Sequence, residues 1–324
     1  MQTARAMAPR GWVGLVLLSV LWGGSFFFVG VAVREWPPLS IVLTRVAVAA
    51  LALWAVVAAL RMPVRRDGAA LRAALGMSLL NNLFPFGLIA WAQGAGRRAQ
   101  GAGGLPSGVA SILNATTPLW AVLVAHALGA ERLTAPRVAG ATLGFAGVAG
   151  MVGADVDAGV AGRGLAAGAV LLAALSYAFA GVWGRRFAAL GVPPMVAAAG
   201  QTTASSLLLL PLAALLEPWG ALPAPSAEVA VALAGLGLFS TAFAYLLCFR
   251  LLASAGPVNL LLATLLIPVS AVLLGAAVLG EALAPRHALG MAAIAGGLAL
   301  IDGRLPRRAA LAVRSVALRR SGPP

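Results

Sequence analysis

The chain contains no lysine. All 23 of its basic residues are arginine, set against nine acidic residues and two histidines. Charge of either sign is scarce, 10% of residues, where a soluble domain carries about 25%. A chain this poor in charge, with 61% apolar residues and a mean hydropathy of +0.96, has too few polar groups to cover a water-facing surface. A lipid bilayer is the solvent that makes the composition sensible. Cysteine is nearly absent too. Cys248 stands alone, which excludes a disulfide framework and a thiolate metal site, and His126 and His287 are far apart, so no metal and no cofactor is expected. There is no Walker A sequence, which speaks against ATP drive, and no HExxH, GxSxG or pair of intramembrane aspartates, which speaks against an intramembrane enzyme. The net charge of +14 does not point to nucleic acid, because the arginines fall between apolar segments and not along a soluble face.

What the chain does have is long apolar runs. Stretches of about 20 residues, enough to cross a bilayer as a helix, occupy 11–33, 38–60, 72–94, 106–128, 134–153, 164–184, 194–216, 228–252, 257–279 and 285–302. The first follows Arg5 and Arg10 as a signal core would, but it is too long for one and lacks a small-residue cleavage site, so it reads as the first membrane helix. The expected fold is an all-α integral membrane protein of about ten transmembrane helices with short connections. Arginine counting sets its orientation. With the N-terminus in the cytoplasm, 17 arginines fall on the cytoplasmic side and five on the other, and Arg45 lies within a helix. Both termini are therefore expected in the cytoplasm. The basic tail 303–324 is too short and charged to span; it forms either a helix on the anionic inner leaflet or a disordered topology signal.

The chain also repeats itself. PLWAVLVAHALGAERL from Pro118 and PVSAVLLGAAVLGEAL from Pro268 share Pro118/Pro268, Glu131/Glu281 and several apolar positions at an offset of 150 residues. An APR tripeptide follows each, and Gly140/Gly290 and Gly147/Gly297 keep the offset. Pro37-Pro38 recurs as Pro193-Pro194, which aligns Arg45 with Gln201. Two copies of a five-helix unit follow, at 11–153 and 164–302, joined by a linker at 154–163 and flanked by 1–10 and 303–324. Five is odd, so the copies are inverted relative to each other. Inverted repeats mark secondary transporters, with the substrate site near the midplane between the halves.

LWGGSFFFVGVAV in the first helix, PPLSIVLTR in the second, the stretch from SGVASILNATTPLW to GATLGFAGVAGMVG, and its counterpart after Pro268 together resemble the EamA family of the drug/metabolite transporter superfamily. The resemblance covers about residues 11–303. It implies ten helices in two EamA repeats and export or exchange of small metabolites, such as amino acids, across the cytoplasmic membrane. The Gly-rich stretch around Arg97 and Arg98 departs from the family's short connection there. A channel or scaffold without coupled transport is the alternative, and an intramembrane enzyme a weaker one.

Polar groups inside the hydrocarbon are costly unless partnered or facing water, so they mark the place to look for a site. Arg45 is the one ionisable residue well inside a helix. It either meets a substrate carboxylate or phosphate or pairs structurally with the protein. Trp22 and Ser25 flank a Gly23-Gly24 break; Asn82, with Asn81, stands in the third helix; Asn114 precedes Thr116, Thr117 and Pro118. Tyr177, Gln201, Tyr245 and Thr264 are the second-half candidates. Substrate contact is the sharper reading of each, and helix–helix hydrogen bonding the plainer one. Pro118 and Pro268 are candidate hinges, since proline frees the carbonyl four residues earlier. Glu131 and Glu281 are expected to support the turns before their next helices. The glycines at 140, 144, 147 and 150 form a packing face, either within the chain or toward a second copy in a homodimer.

Overall fold

The computed structural model describes residues 9–94, 104–129, 134–157, 161–219, 222–282 and 284–302. Arg97, Arg98, Glu131 and the basic tail lie outside them. The regular elements among the described residues are all helices: α1 (Pro9–Ala32), α2 (Pro38–Ala59), α3 (Gly68–Met77), α4 (Phe84–Gly94), α5 (Ser107–Asn114), α6 (Thr117–Ala127), α7 (Ala135–Asp157), α8 (Ala161–Trp183), α9 (Arg185–Ala189), α10 (Pro194–Leu216), α11 (Ala227–Ala234), α12 (Ala244–Leu279) and α13 (Pro285–Asp302). Two stretches of wider π-helical winding, Ser78–Leu83 and Gly235–Phe243, join α3 to α4 and α11 to α12.

Among the described residues seven stretches are long and apolar enough to cross a membrane: Pro9–Ala32, Pro38–Ala59, Gly68–Gly94, Ser107–Ala127, Gly164–Ala189, Pro194–Leu216 and Ala227–Leu251. Leu266–Leu279 is a shorter apolar helix. Large apolar side chains point outward along them, Leu215 at 83% exposure and Leu51 at 75%, as lipid contact demands. Local chemistry sets several helix starts. Pro38 and Pro194 occupy first-turn positions where a missing N–H costs nothing. Asp67 Oδ1 accepts from Ala70 N at 2.8 Å to cap α3, and Ser226 accepts from Val229 N to cap α11. Gly280, at φ +67°, ends α12 in the left-handed region that suits glycine.

One expected boundary differs. The apolar runs 228–252 and 257–279 predict a loop between 252 and 257, whereas helical backbone runs through it from Ala244 to Leu279. The direction still reverses. Gly235 sits against Phe28 and Leu251 against Gly14, so this arm runs antiparallel to α1. Ile267 lies against Gly23 and Leu279 against Gly30, so the later arm runs parallel to it. α12 is therefore a helical hairpin clasping α1, and its bend falls between Leu251 and Leu266.

The glycine face of α7 has an occupant within the chain. A methyl built on Gly147 would lie 2.6 Å from Ala293 Cβ and 3.0 Å from the Gly290 carbonyl, and one on Gly297 would meet the Gly140 carbonyl and lie 3.0 Å from Gly144 N. Gly147–Gly290 and Gly297–Gly140 thus exchange when each residue is replaced by the one 150 positions away. The helices α2 and α10 also pack together, with Trp54 Nε1 donating to Thr203 Oγ1 at 2.8 Å. The α1–α2 connection and the described residues between α10 and α11, together with residues 93–94, 104–107 and 279–281, gather at one end of the bundle, the α1–α2 end. There Arg34 pairs with Glu228 at 3.2 Å and Trp36 Nε1 donates to the Pro223 carbonyl.

Candidate functional site

A cavity of about 270 Å³ opens inside the bundle, walled by α1, α2, α4, α5, α8 and both arms of α12. Seven of the nine residues expected to contact substrate line it: Trp22, Ser25, Arg45, Asn114, Tyr177, Tyr245 and Thr264. The remaining two stand behind the wall. Asn82 is fully buried and donates to Ser205 Oγ at 3.0 Å, a helix–helix bond between the first π-helical stretch and α10. Gln201 donates to Tyr245 Oη at 3.1 Å, and Asn81 donates to the same oxygen at 2.8 Å. Gln201 therefore helps hold Tyr245 from behind, while Asn81 reaches the cavity itself. The two adjacent amides of the asparagine pair diverge, one to the cavity and one to a neighbouring helix.

Arg45 dominates the electrostatics. Its Nε donates to Thr241 Oγ1 at 2.9 Å, and its Cζ lies 3.6 Å from the centroid of the Phe86 ring. The Thr241 hydroxyl donates in turn to the Leu236 carbonyl, five residues earlier, at 2.8 Å. That carbonyl is reachable because Gly235–Phe243 is wound as a π-helix, whose wider turn brings the fifth residue into register. The guanidinium is thereby fixed at one edge and over one face, and its Nη groups have no hydrogen-bond partner among the described residues. No carboxylate pairs with Arg45 among them either. A buried cation without a counter-ion is an expensive arrangement.

Two acceptors on the cavity wall are equally unengaged. Asn114 Oδ1 and Ser240 Oγ are buried and have no hydrogen-bond partner among the described residues. The wall is apolar on the side toward the α1–α2 end, where Phe26, Val29, Ile41, Phe86 and Ile89 stand. The chamber thus offers a cation, several hydroxyls and amides and an apolar side, the mixture that fixes the orientation of a small ligand.

The hinge candidates come out differently from each other. The helix containing Pro118 does break, between Asn114 and Thr117. The carbonyl that Pro118 leaves without a backbone donor is that of Asn114, and Thr117 Oγ1 donates to it at 2.7 Å, so it is already engaged. Pro268 sits inside α12 with helical backbone on both sides. Glu281 also departs from expectation. It does not serve the turn before α13 but accepts hydrogen bonds from Ser107 and Gly108 at the start of α5.

Sequence reasoning missed Ser240 and Thr241, and it did not single out Phe86. A hydroxyl pair inside an otherwise apolar run was a visible signal. The π-helical winding that turns both hydroxyls to use was not.

Helices that bury their polar groups inward, expose leucine outward and enclose a chamber of solute size define a multi-pass membrane transport protein. The chain belongs to the EamA-like transporter family, whose model matches residues 10–153 and again 164–302. The inner membrane transporter YedA of Escherichia coli K12, named as uncharacterized, is 27% identical over 289 residues, 89% of each chain. Its counterparts from the O6:H1 and O157:H7 strains match equally. A crystal structure sharing 23% identity has the same fold, with a TM-score of 0.61 over 90% of this chain and 95% of that one.

Proposed function

We propose that the protein is a secondary transporter in the cytoplasmic membrane that exports or exchanges small metabolites bearing a carboxylate, amino acids among them, by alternating access around the Arg45 cavity. The observation that carries the reading is the buried Arg45 guanidinium, held by Thr241 and Phe86, with free Nη groups and no carboxylate partner among the described residues. A substrate carboxylate supplies the missing counter-ion in a bidentate geometry that guanidinium favours. Asn114 Oδ1 and Ser240 Oγ then take the substrate's donors, and the aromatic wall takes its apolar part.

Two inverted five-helix halves are the architecture this mechanism uses. The reciprocal glycine contacts of α7 and α13 at the 150-residue offset support that arrangement, as do the two family matches. The α1–α2 end is then extracytoplasmic and both termini cytoplasmic, as the arginine distribution favours. The test is counterflow in proteoliposomes with a panel of amino acids, other carboxylates, nucleobases and cationic solutes. Transport predicts saturable uptake of a carboxylate solute, accelerated by the same solute unlabelled on the far side. Unsaturable flux indifferent to the far side would mean a channel, and no flux of any carboxylate would contradict the substrate class.

A further inference from the structure

At the α1–α2 end two carboxylates of the second half are bound to helix starts of the first. Glu217, at the end of α10, is 8% exposed. Its Oε1 accepts from Leu39 N at 2.7 Å, and its Oε2 accepts from Ser40 N at 2.7 Å and Ser40 Oγ at 2.6 Å. Trp219 Nε1 closes the group by donating to Ser40 Oγ at 3.0 Å. Glu281, just after α12, repeats the pattern on α5. Its Oε1 accepts from Ser107 N at 2.7 Å, and its Oε2 accepts from Ser107 Oγ at 2.7 Å and Gly108 N at 3.1 Å. The first N–H groups of a helix lack partners inside it, and a carboxylate there also meets the positive end of the helix dipole. Neither Pro37 nor Pro106, the residues preceding the two helices, supplies a side-chain cap. The caps come instead from the other half of the chain.

Room has been made for the second one. A methyl on Gly275 would run into Glu281 Oε2 and lie 2.7 Å from Ser107 Oγ. The left-handed Gly280 turns the chain so that Glu281 N reaches back to the Gly275 carbonyl at 3.1 Å. Each capped helix also carries a cavity residue. Arg45 lies seven residues after Pro38 on α2, and Asn114 lies seven residues after Ser107 on α5. Seven residues of helix are about 10 Å, two turns.

We propose that Glu217 and Glu281 are the two latches that close the α1–α2 end over the cavity, and that through the opening turns of α2 and α5 they position Arg45 and Asn114. Both latches join the halves that alternating access must part at this end. Opening there releases six hydrogen bonds to carboxylate oxygens and frees α2 and α5 to carry Arg45 and Asn114 with them. The proposal rests on the transport reading of the cavity, but its test needs no substrate, so the two fail separately.

The test measures access to one cysteine. In a Cys248→Ala background, Val29→Cys places a thiol on the cavity wall toward the latches. A membrane-impermeant maleimide is applied from either face of reconstituted vesicles of known orientation. Glu217→Gln and Glu281→Gln are each expected to speed modification several-fold from the α1–α2 face and to slow it from the opposite face, and the double variant to do so most. General loosening accelerates both faces alike. Ser40→Ala removes one donor to Glu217 and gives a smaller shift of the same sign, which keeps the test available if a glutamate variant does not fold. Unchanged rates in folded variants, or equal acceleration from both faces, would overturn the proposal.

Discussion

The Arg45 guanidinium lies over the Phe86 ring, its Cζ 3.6 Å from the ring centroid. A buried cation over an aromatic face gains about 0.5–2 kcal/mol, and the contact also holds the guanidinium plane where a carboxylate can approach its Nη edge. Phe86→Leu keeps the wall apolar and loses that orientation. It is expected to raise the half-saturation concentration for a carboxylate solute by roughly 2- to 30-fold, the same energy expressed as affinity, with a smaller effect on the maximal rate. Initial-rate flux in proteoliposomes checks both quantities.

Tyr245 is a hub on the cavity wall, accepting from Asn81 and Gln201. Tyr245→Phe keeps the ring and its stacking on Phe249 but leaves two amide donors without their acceptor. An unsatisfied buried donor costs about 1–3 kcal/mol, so the unfolding temperature in detergent should fall measurably. Gln201→Leu added to Tyr245→Phe should cost less than the two separate losses together, because it removes one of the stranded donors.

The expectations for Arg45 and Gln201 show what a sequence exposes and what it withholds. Helix spans, the internal offset of 150 and a lone intramembrane arginine are all visible, because lipid makes every polar residue conspicuous. Whether a polar residue points into the cavity or into the next helix depends on its angle around the axis. The π-helical winding at Ser78–Leu83 and Gly235–Phe243 changes that angle without any sequence mark. Asn82 was therefore indistinguishable from Asn81, and Thr241 went unnoticed. The latch made by Glu217 was equally hidden, since its partners Leu39 and Ser40 stand 178 and 177 residues away. The aligned pair Arg45 and Gln201 occupies different depths, one on the wall and one behind it.

Glycine packing separates tight sites from free ones. Gly147→Val would drive a side chain into Ala293 and Gly290, and such overpacking costs about 1–3 kcal/mol. Gly168, in the interior of α8, has nothing within 4 Å of its missing Cβ. Gly168→Ala should instead be neutral or stabilise by up to about 1 kcal/mol, since glycine inside a helix is disfavoured relative to alanine. Thermal unfolding of the two variants side by side is the check.

Asp67 caps α3 and also accepts from Arg65. The Ala70 N–H and then Arg65 hold its carboxyl below the usual carboxylate range. A carboxyl lowered on folding contributes stability above its unfolded value, and that contribution disappears as the pH falls through the folded one. Asp67→Asn should therefore lower the unfolding temperature slightly at neutral pH. The gap to the unsubstituted protein should close as the pH drops below about 4. The group is exposed, so the effect is small.

The central claim is that Arg45 receives the substrate's carboxylate. The most direct measurement compares flux of one transported carboxylate solute with flux of its uncharged amide, in the unsubstituted protein and in folded Arg45→Gln. The account predicts a strong preference for the carboxylate that collapses in Arg45→Gln, with the amide little affected. A preference that survives the substitution would contradict it and return Arg45 to a structural role.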